Sequence, residues 1–392
     1  MSASPTGPLT VRKVESSAEM KDFFEFPWTI YKGDPNWVPP LLSLRRSLLD
    51  KKKNPAWEYM VGDYFVAYRG STPVGTIAAF INHNHNKYWK ENIGFFGFFE
   101  CYDDQEVATA LLKCAAEHVK SLGATEGLRG PANFTVTDEC ALLIENFSRP
   151  VILMPYNHPY YQRLIEESGL GFAKIMDLYS WYTNPDMIMA DPAFVTKLSR
   201  VVEKTKERNH IIVRKPDPKK LKNEVDLILH LYDTAWERNW GFYPATKREA
   251  DKLYDDLKDF VDAELIRFAV IDGKDIGFFL AMPDLNKALH LAYPRPGEPE
   301  IWTLLKTLVY WKVLRKVKGQ RVVFMGVEPE YRGKGSEAAM MQSFLQDGLA
   351  HPKKYYDSDL GWVLESNQPM NQLAMTYKAK LYKKYRFYQK PL

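Results

Sequence analysis

The chain has 392 residues, 45% of them hydrophobic and 26% charged, a composition typical of soluble globular proteins and a length sufficient for two domains. Its formal net charge is only +4, which argues against a general nucleic-acid-binding protein. Three irregularly spaced cysteines are too few for a disulfide framework or a zinc site, and no apolar run of 18 residues could span a membrane. We therefore expect a cytoplasmic protein without a metal cofactor or a nucleic-acid partner.

The first half of the chain begins with a short polar segment and then alternates strand and helix patterns. Residues 1–8 are small, polar and proline-rich, which predicts a disordered leader. Trp37 lies in a proline-rich segment, where it is either a core residue or part of a substrate-binding wall. The predicted elements are strand 9–14, helix 18–31, hairpin 64–82, strand 93–101, amphipathic helix 104–122, a strand or loop at 129–133, short helix 160–168 and strand 172–182.

The second half repeats this order of elements. A proline-containing connection at 184–193 precedes a charged linker helix. The predicted elements are helix 194–209, strand 211–213, helix 225–236, hairpin 264–286 with Asp272-Gly273 at its turn, strand 322–325, a helix from residue 338, strand 361–364, a helix opened by Asn367 and C-terminal strands. A repeated order of elements indicates a duplicated fold whose sequences have diverged.

Residues 322–350 form the most informative stretch, a strand followed by a basic glycine-rich loop and a helix. The loop reads Arg332-Gly333-Lys334-Gly335-Ser336. Its glycines permit close approach of a ligand, the first amides of the helix have no intrahelical partner, and the two cations add positive charge. The stretch predicts a diphosphate site, although it matches neither the P-loop nor the G-x-G-x-x-G pattern. A solvated basic turn explains the same residues.

This stretch resembles motif A of the acetyl-CoA-dependent N-acetyltransferase superfamily, GNAT. The usual motif, [QR]-x-x-G-x-[GA], is met by Arg332 and Gly335 but not at its last position, which is Glu337. The hairpin at 264–286, the strand at 361–364 and the final strands follow in the family's order, so the resemblance covers roughly residues 221–392. It implies an α/β (α+β) fold of two tandem GNAT-like domains, each a mixed central sheet flanked by helices.

The predicted domains are a leader at 1–8, an N-terminal GNAT-like domain at 9–184, a linker helix at 185–210 and a C-terminal GNAT domain at 211–392. In the first domain the corresponding loop reads Glu100-Cys101-Tyr102-Asp103-Asp104. Its two aspartates are good helix caps, but they would repel a diphosphate. We therefore expect the acyl-CoA site in the C-terminal domain alone.

The resemblance also implies which residues bind the co-substrate, acetyl-CoA or a longer acyl-CoA. Backbone amides around Val327 would bind the pantetheine arm and stabilise the oxyanion, and Asn367 would contact the cofactor. The diphosphate would be bound by Arg332, Gly333, Lys334, Gly335 and Ser336.

Catalytic and acceptor-binding residues follow from the same resemblance. Glu328 is the candidate general base. The alternative is that Glu328 is only a surface carboxylate that balances the charges of Arg332 and Lys334. Many family members have a tyrosine seven residues after the asparagine that corresponds to Asn367. That position is Ala374 here, so Tyr377, nearly one helical turn later, is the candidate general acid. Asn239 and Trp240 are candidate substrate contacts, or else they form a structural turn with a buried indole.

The implied reaction is direct attack of an amine on the thioester, without a metal. The blocks DPNWVPP, FFGFFE and NWGFYP resemble bacterial tandem GNAT-like proteins and, more distantly, bacterial ceramide synthases, which acylate a sphingoid amine. The resemblance therefore implies a small-molecule or a lipid amine as acceptor, and peripheral membrane contact stays open. The alternative is a non-catalytic acyl-CoA-binding or protein-interaction module on a degenerate GNAT fold.

Overall fold

The structure, a computed structural model, describes residues 5–135, 138–351 and 354–392. Residues 1–4, half of the expected leader, lie outside the described residues. The chain divides into compact units: unit 1 comprises Met1–Leu178, Ala292–Leu304 and Lys383–Leu392, and unit 2 comprises Tyr179–Leu291 and Leu305–Tyr382. Unit 1 thus includes two segments from the second half of the chain, beyond the boundary expected at residue 184.

The predicted elements of the first half occur in the predicted order, and the structure adds helices at Leu42–Leu49 and His83–Trp89 and a strand at Leu142–Glu145. They are β1 (Leu9–Lys13), α1 (Ser17–Ile30), α2 (Leu42–Leu49), β2 (Met60–Arg69), β3 (Thr72–Asn82), α3 (His83–Trp89), β4 (Ile93–Cys101), α4 (Gln105–Ser121), β5 (Gly127–Gly130), β6 (Leu142–Glu145), α5 (Tyr161–Glu166) and β7 (Ala173–Thr183). Trp37 is buried and stacks on Tyr31 at a centroid distance of 5.1 Å, so it is a core residue.

The second half contains the predicted elements and several short helices that the pattern did not predict. They are α6 (Pro185–Met189), α7 (Pro192–Arg208), β8 (Ile211–Arg214), α8 (Leu221–Trp236), α9 (Lys247–Leu257), β9 (Ile266–Ile271), β10 (Lys274–Pro283), α10 (Asn286–Ala292), α11 (Glu300–Leu308), β11 (Gly319–Val327), α12 (Ser336–Ala350), β12 (Asp357–Leu364), α13 (Gln368–Thr376) and β13 (Lys380–Lys390). Within the described residues, no helix has both the length and the apolar character that crossing a membrane requires.

The sheet of unit 1 is antiparallel from β1 to β4, and β5 then runs parallel to β4. The end of β13 continues this sheet, because Tyr388 pairs with Gly130 of β5. Helix α4 buries the stripe that includes Val107, Leu111 and Val119 against the strands.

The parallel pairing of β4 with β5 stops at Phe95, and the chain itself fills the space beyond. The Ala132 N–H donates to the Phe96 carbonyl at 2.8 Å, and the Phe98 N–H donates to Asn133 Oδ1 at 2.8 Å. A Cβ atom on Gly97 would lie 1.9 Å from the Ala132 carbonyl oxygen. The space between the diverging strands of unit 1 is therefore occupied by its own backbone.

The acidic loop of unit 1 serves the fold. Asp104 caps α4 by accepting the Glu106 N–H at 3.1 Å, as predicted, and it also pairs with Arg69 at 2.9 Å. Glu100 accepts hydrogen bonds from the hydroxyls of Tyr31 at 2.7 Å and Tyr161 at 2.6 Å.

Unit 2 has the strand order β8-β9-β10-β11-β12, antiparallel up to β11 and parallel between β11 and β12. The turn between β9 and β10 has positive φ at Asp272 and Gly273, as an Asp-Gly hairpin requires. Phe278 packs into the core beneath α8, whereas the ring of Phe279 packs against that of Phe344 on α12, with ring centroids 4.7 Å apart. Because adjacent strand residues point to opposite faces, α8 and α12 cover opposite faces of this sheet.

Glu100 is expected to make the stability of unit 1 depend on pH. Burial raises the pKa of Glu100 to about 7, although the two tyrosine hydroxyls oppose the shift. The folded chain therefore holds a proton that the unfolded chain releases near pH 4.5, and the contribution of Glu100 to the free energy of unfolding falls between about pH 4.5 and pH 7. The fall is roughly 3 kcal/mol.

Urea unfolding of Glu100→Gln at pH 5 and pH 7.5 measures this effect. The amide keeps an acceptor for both hydroxyls, so the variant should lose less stability across that interval than the parent. Glu117→Gln, on the exposed side of α4, is the matched control. Equal pH dependence of the parent and Glu100→Gln would contradict the assignment.

Candidate functional site

The candidate site lies where β11 and β12 part. The two strands pair in parallel register from Gly319 with Asp357 to Val322 with Leu360. Beyond that point β11 continues to Val327 and β12 to Leu364 without further pairing between them. On its other edge β11 stays paired with β10 as far as Val327, so the gap opens on one side of β11 only.

Side chains satisfy the carbonyl groups that the missing ladder leaves along this gap. Trp236 Nε1 donates to the Met325 carbonyl oxygen at 3.2 Å, and Arg332 Nε donates to the Val327 carbonyl oxygen at 3.2 Å. On the other strand, Arg321 Nε donates to the Gly361 carbonyl oxygen at 2.9 Å. Because buried backbone groups require partners, these three side chains allow the strands to stay apart.

The Val327 amide points into the gap. The Glu328 N–H donates to the Ile276 carbonyl on β10 at 2.9 Å, so it faces away from β12. Successive N–H groups of a strand point to opposite edges, and the Val327 N–H therefore faces the gap. An amide that is to contact a thioester in the gap needs this orientation.

A cavity of about 410 Å³ occupies the gap, a size typical of small-molecule sites. It brings together five of the residues that were singled out from the sequence: Asn239, Trp240, Val327, Arg332 and Asn367. A cavity beside Trp311 is larger, at about 860 Å³, but it does not lie at the ends of parallel strands. The position of the smaller cavity, rather than its volume, makes it the candidate site.

The glycine-rich loop is held in place by α7. Asn209 Nδ2 donates to the Lys334 carbonyl oxygen at 2.7 Å. Gly335 has φ of 94°, and a Cβ atom there would lie 2.6 Å from Thr205 Cγ2. Glycine is thus required at this position both by its backbone conformation and by the adjacent helix.

The loop residues differ in what their side chains contact. Arg332 donates to the Ala235 carbonyl at 2.5 Å as well as to Val327, so its guanidinium supports the walls of the gap. Lys334 is exposed and places Nζ 4.5 Å from the centre of the Tyr331 ring. Ser336 is fully buried, and its Oγ has no hydrogen-bond partner among the described atoms. Gly333, Lys334, Gly335 and Ser336 do not line the cavity.

The two candidate catalytic residues lie outside the cavity lining. Glu328 forms an ion pair with Lys274 at 2.5 Å. Tyr377 is buried and donates its hydroxyl to the Ala338 carbonyl at 3.0 Å, and burial raises its pKa above the ordinary tyrosine value. Their catalytic roles stay predictions.

The structure adds cavity residues that the sequence analysis did not assign to the site. Glu337 lines the cavity from the first turn of α12, and burial raises its pKa while Arg332 acts in the opposite direction. Its departure from the family motif was the available signal. Trp236 and Trp362 also line the cavity, with ring centres 6.2 Å apart, because α8 ends beside β12.

Known proteins resemble this chain over nearly its whole length. Protein YghO of Escherichia coli K12 is 30% identical over 390 residues, which is 97% of this chain and 95% of that protein. The bacterial ceramide synthase of Caulobacter vibrioides is 29% identical over 398 residues, 99% of either chain. No protein-family profile matches the chain.

A solved structure shares the fold. A tandem GNAT protein from the clavulanic acid biosynthesis pathway matches over 98% of both chains, with a TM-score of 0.54 and 13% sequence identity. At that identity the likeness concerns the fold alone. The predicted fold class, a tandem arrangement of GNAT-like domains, is confirmed.

Two glycines of α12 and its loop should respond oppositely to alanine. Gly335→Ala is expected to destabilise the chain by about 1–3 kcal/mol, because of its positive φ and the close Thr205 methyl group. Gly348 has no neighbouring atom within 4 Å of the position that a Cβ atom would occupy, so Gly348→Ala should stabilise the helix by about 0.5–1 kcal/mol. Urea unfolding of both variants checks the pair, and an unaffected Gly335→Ala would show that the loop is not held as described.

Proposed function

Because the chain belongs to the same family as Protein YghO and has the tandem GNAT fold, we propose that it is an acyl-CoA-dependent N-acyltransferase whose reaction takes place in the gap between β11 and β12. The observation that carries the proposal is the gap itself. It has an inward-facing amide at Val327, a cavity of about 410 Å³ and the start of α12 at one end.

The start of α12 supplies the features that a diphosphate requires. The N-cap residue, Gly335, has no side chain that could cap the first amides, and it leads into the helix in the left-handed conformation. Free amides and the helix dipole favour an anion there. Lys334, exposed beside this terminus, adds a full positive charge.

The reaction is a transfer between two nucleophiles. The amine nitrogen attacks the thioester carbon, the carbonyl oxygen becomes an oxyanion, and the carbon–sulfur bond breaks to release the thiolate. The Val327 N–H would stabilise the oxyanion, which is often the largest catalytic contribution. A base must accept the amine proton and an acid must protonate the thiolate, the roles proposed for Glu328 and Tyr377.

The acyl chain and the acceptor are the finer part of the proposal. The Caulobacter relative is named a bacterial ceramide synthase, and a ceramide is an amide of a long-chain base. We include long-chain acyl-CoA and lipid amines on that ground, beside acetyl-CoA and small amines. The indoles of Trp236, Trp240 and Trp362 give the cavity apolar walls that suit either donor.

A non-catalytic acyl-CoA-binding module is the second candidate. The observation that favours it is the engagement of both candidate catalytic groups elsewhere: Glu328 pairs with Lys274, and the Tyr377 hydroxyl donates to Ala338. Donor binding without turnover on any amine would support this second function.

Calorimetric titration with acetyl-CoA and palmitoyl-CoA, followed by thiol release in the presence of small and long-chain amines, tests the proposal. Lys334→Gln should weaken donor binding about threefold to tenfold, because one exposed charge near a phosphate is worth about 1 kcal/mol. Lys204→Gln, an exposed lysine of α7, is the control. Arg332 is unsuitable for this test because it also supports two backbone carbonyls. Absence of binding to either thioester would overturn the proposal.

Glu337 should weaken donor binding as pH rises. Loss of the Glu337 proton places a negative charge in the first turn of α12. Burial raises the pKa of Glu337 above the ordinary glutamate value, so this charge forms only at a higher pH. Glu337→Gln is therefore expected to bind acyl-CoA about tenfold more tightly above that pKa. Titrations of the parent and the variant from pH 5 to pH 8 measure the difference, since ionisation of the donor is common to both. Identical affinities across the series would remove Glu337 from the donor site.

Glu328→Gln tests the proposed base. If Glu328 accepts the amine proton, the variant should lose at least roughly 100-fold in kcat while KM for the donor is unchanged. Lys274→Gln is the matched control, because it breaks the same ion pair and leaves the carboxylate in place. An equal loss in both variants would indicate that the pair has only a structural role.

A further inference from the structure

Helix α11 and the π-helical turn Val309–Val313 that follows it expose apolar side chains. Leu305, Leu308 and Val309 are 44–49% exposed, and Val313 and Leu314 are 70% and 51% exposed. The first turn of the same helix also exposes Ile301 and Trp302. Residues 301, 305, 308 and 309 follow the i, i+4, i+7, i+8 spacing that places side chains on one helical face.

The opposite face of this helix is the buried one, and it is more polar. Thr303, Thr307 and Trp311 are each at most 6% exposed. A helix that only packs on its own fold turns its aliphatic residues inward and its hydroxyl groups outward. Here the arrangement is reversed, and the described part of the chain leaves this apolar face uncovered.

Cations accompany the apolar face. Residues 305–318 read LKTLVYWKVLRKVK and contain five lysine or arginine residues and no aspartate or glutamate. Lys306, Lys312, Arg315, Lys316 and Lys318 are all exposed. Asp262 lines the same cavity as Arg315, but its carboxylate is already engaged by Lys354 at 2.9 Å and the Tyr355 hydroxyl at 3.0 Å.

We propose that residues 301–318, which run from the first turn of α11 to Lys318, dock on the surface of an anionic lipid bilayer. An interfacial helix needs an apolar face that enters the acyl boundary and cations that meet anionic headgroups. Both are present in one segment. The helix and the π turn together span 14 residues, fewer than the roughly 20 needed to cross a bilayer, so the segment lies along the surface.

The positive charge of this face favours an anionic membrane over a second copy of the chain as the partner. A symmetric contact through this face would bring two sets of five cations together, and like charges at an interface oppose association. An anionic surface compensates the same charges. The proposal concerns a surface outside the gap between β11 and β12, and it holds whether or not the chain transfers acyl groups.

Co-sedimentation of the full chain with vesicles tests the proposal without any acyl donor. The vesicles are pure phosphatidylcholine or a mixture of phosphatidylcholine with about 30% phosphatidylglycerol. We expect binding to the mixed vesicles that weakens in about 0.5 M salt, and little binding to the neutral ones. Leu308→Gln with Val313→Gln should weaken binding at least roughly tenfold, and Lys306→Gln with Lys316→Gln roughly 20-fold.

A matched control removes exposed aliphatic side chains elsewhere in unit 2. Val201 and Ile212 are 54% and 64% exposed, and Val201→Gln with Ile212→Gln should leave vesicle binding unchanged. Absence of binding to the mixed vesicles would overturn the proposal. Equal binding by the Leu308→Gln, Val313→Gln variant and the Val201→Gln, Ile212→Gln variant would also overturn it. So would a dimer in sedimentation velocity that only the Leu308→Gln, Val313→Gln variant dissociates, because the face would then be an interface between copies.

Discussion

The separation of β11 from β12 depends on three hydrogen bonds that replace a missing strand ladder. Trp236, Arg332 and Arg321 donate to the carbonyls of Met325, Val327 and Gly361, which would otherwise be buried without partners. An unpaired buried carbonyl costs about 1–3 kcal/mol, so the open strand ends are stable only with these donors. The inward-facing Val327 amide, the cavity and the position of α12 all follow from this gap.

Unit 1 shows the other outcome of the same topology. Its parallel strands β4 and β5 also part early, but Ala132 and Asn133 bond to the backbone of β4 within the space between them. The acidic loop that follows β4 is likewise committed, with Asp104 capping α4 and Glu100 accepting two tyrosine hydroxyls. In this unit, backbone and side-chain contacts within the fold occupy the places that unit 2 leaves open.

Two opposing electrostatic features meet at the start of α12. The uncapped amides and Lys334 favour an anion, whereas Glu337 places a carboxyl group in the first helical turn, where burial raises its pKa. Arg332, which carries the motif resemblance, donates to two backbone carbonyls and therefore has a structural role whatever it binds. Under the proposed function, affinity for a phosphorylated donor would depend on the balance of these groups rather than on the glycine-rich pattern alone.

The sequence by itself determined the order of the main strands and helices, the Asp-Gly hairpin, the Asp104 and Asn367 caps and the loop before α12, because these depend on local periodicity and turn chemistry. It also indicated Val327, Arg332, Asn239, Trp240 and Asn367, which the cavity brings together. Only the tertiary structure showed that Arg321 and Trp236 hold the gap open, that Glu328 pairs with Lys274, and that α11 turns its apolar face outward. Those features depend on contacts between distant segments and on which face of a helix is covered, and helical spacing is the same for either face.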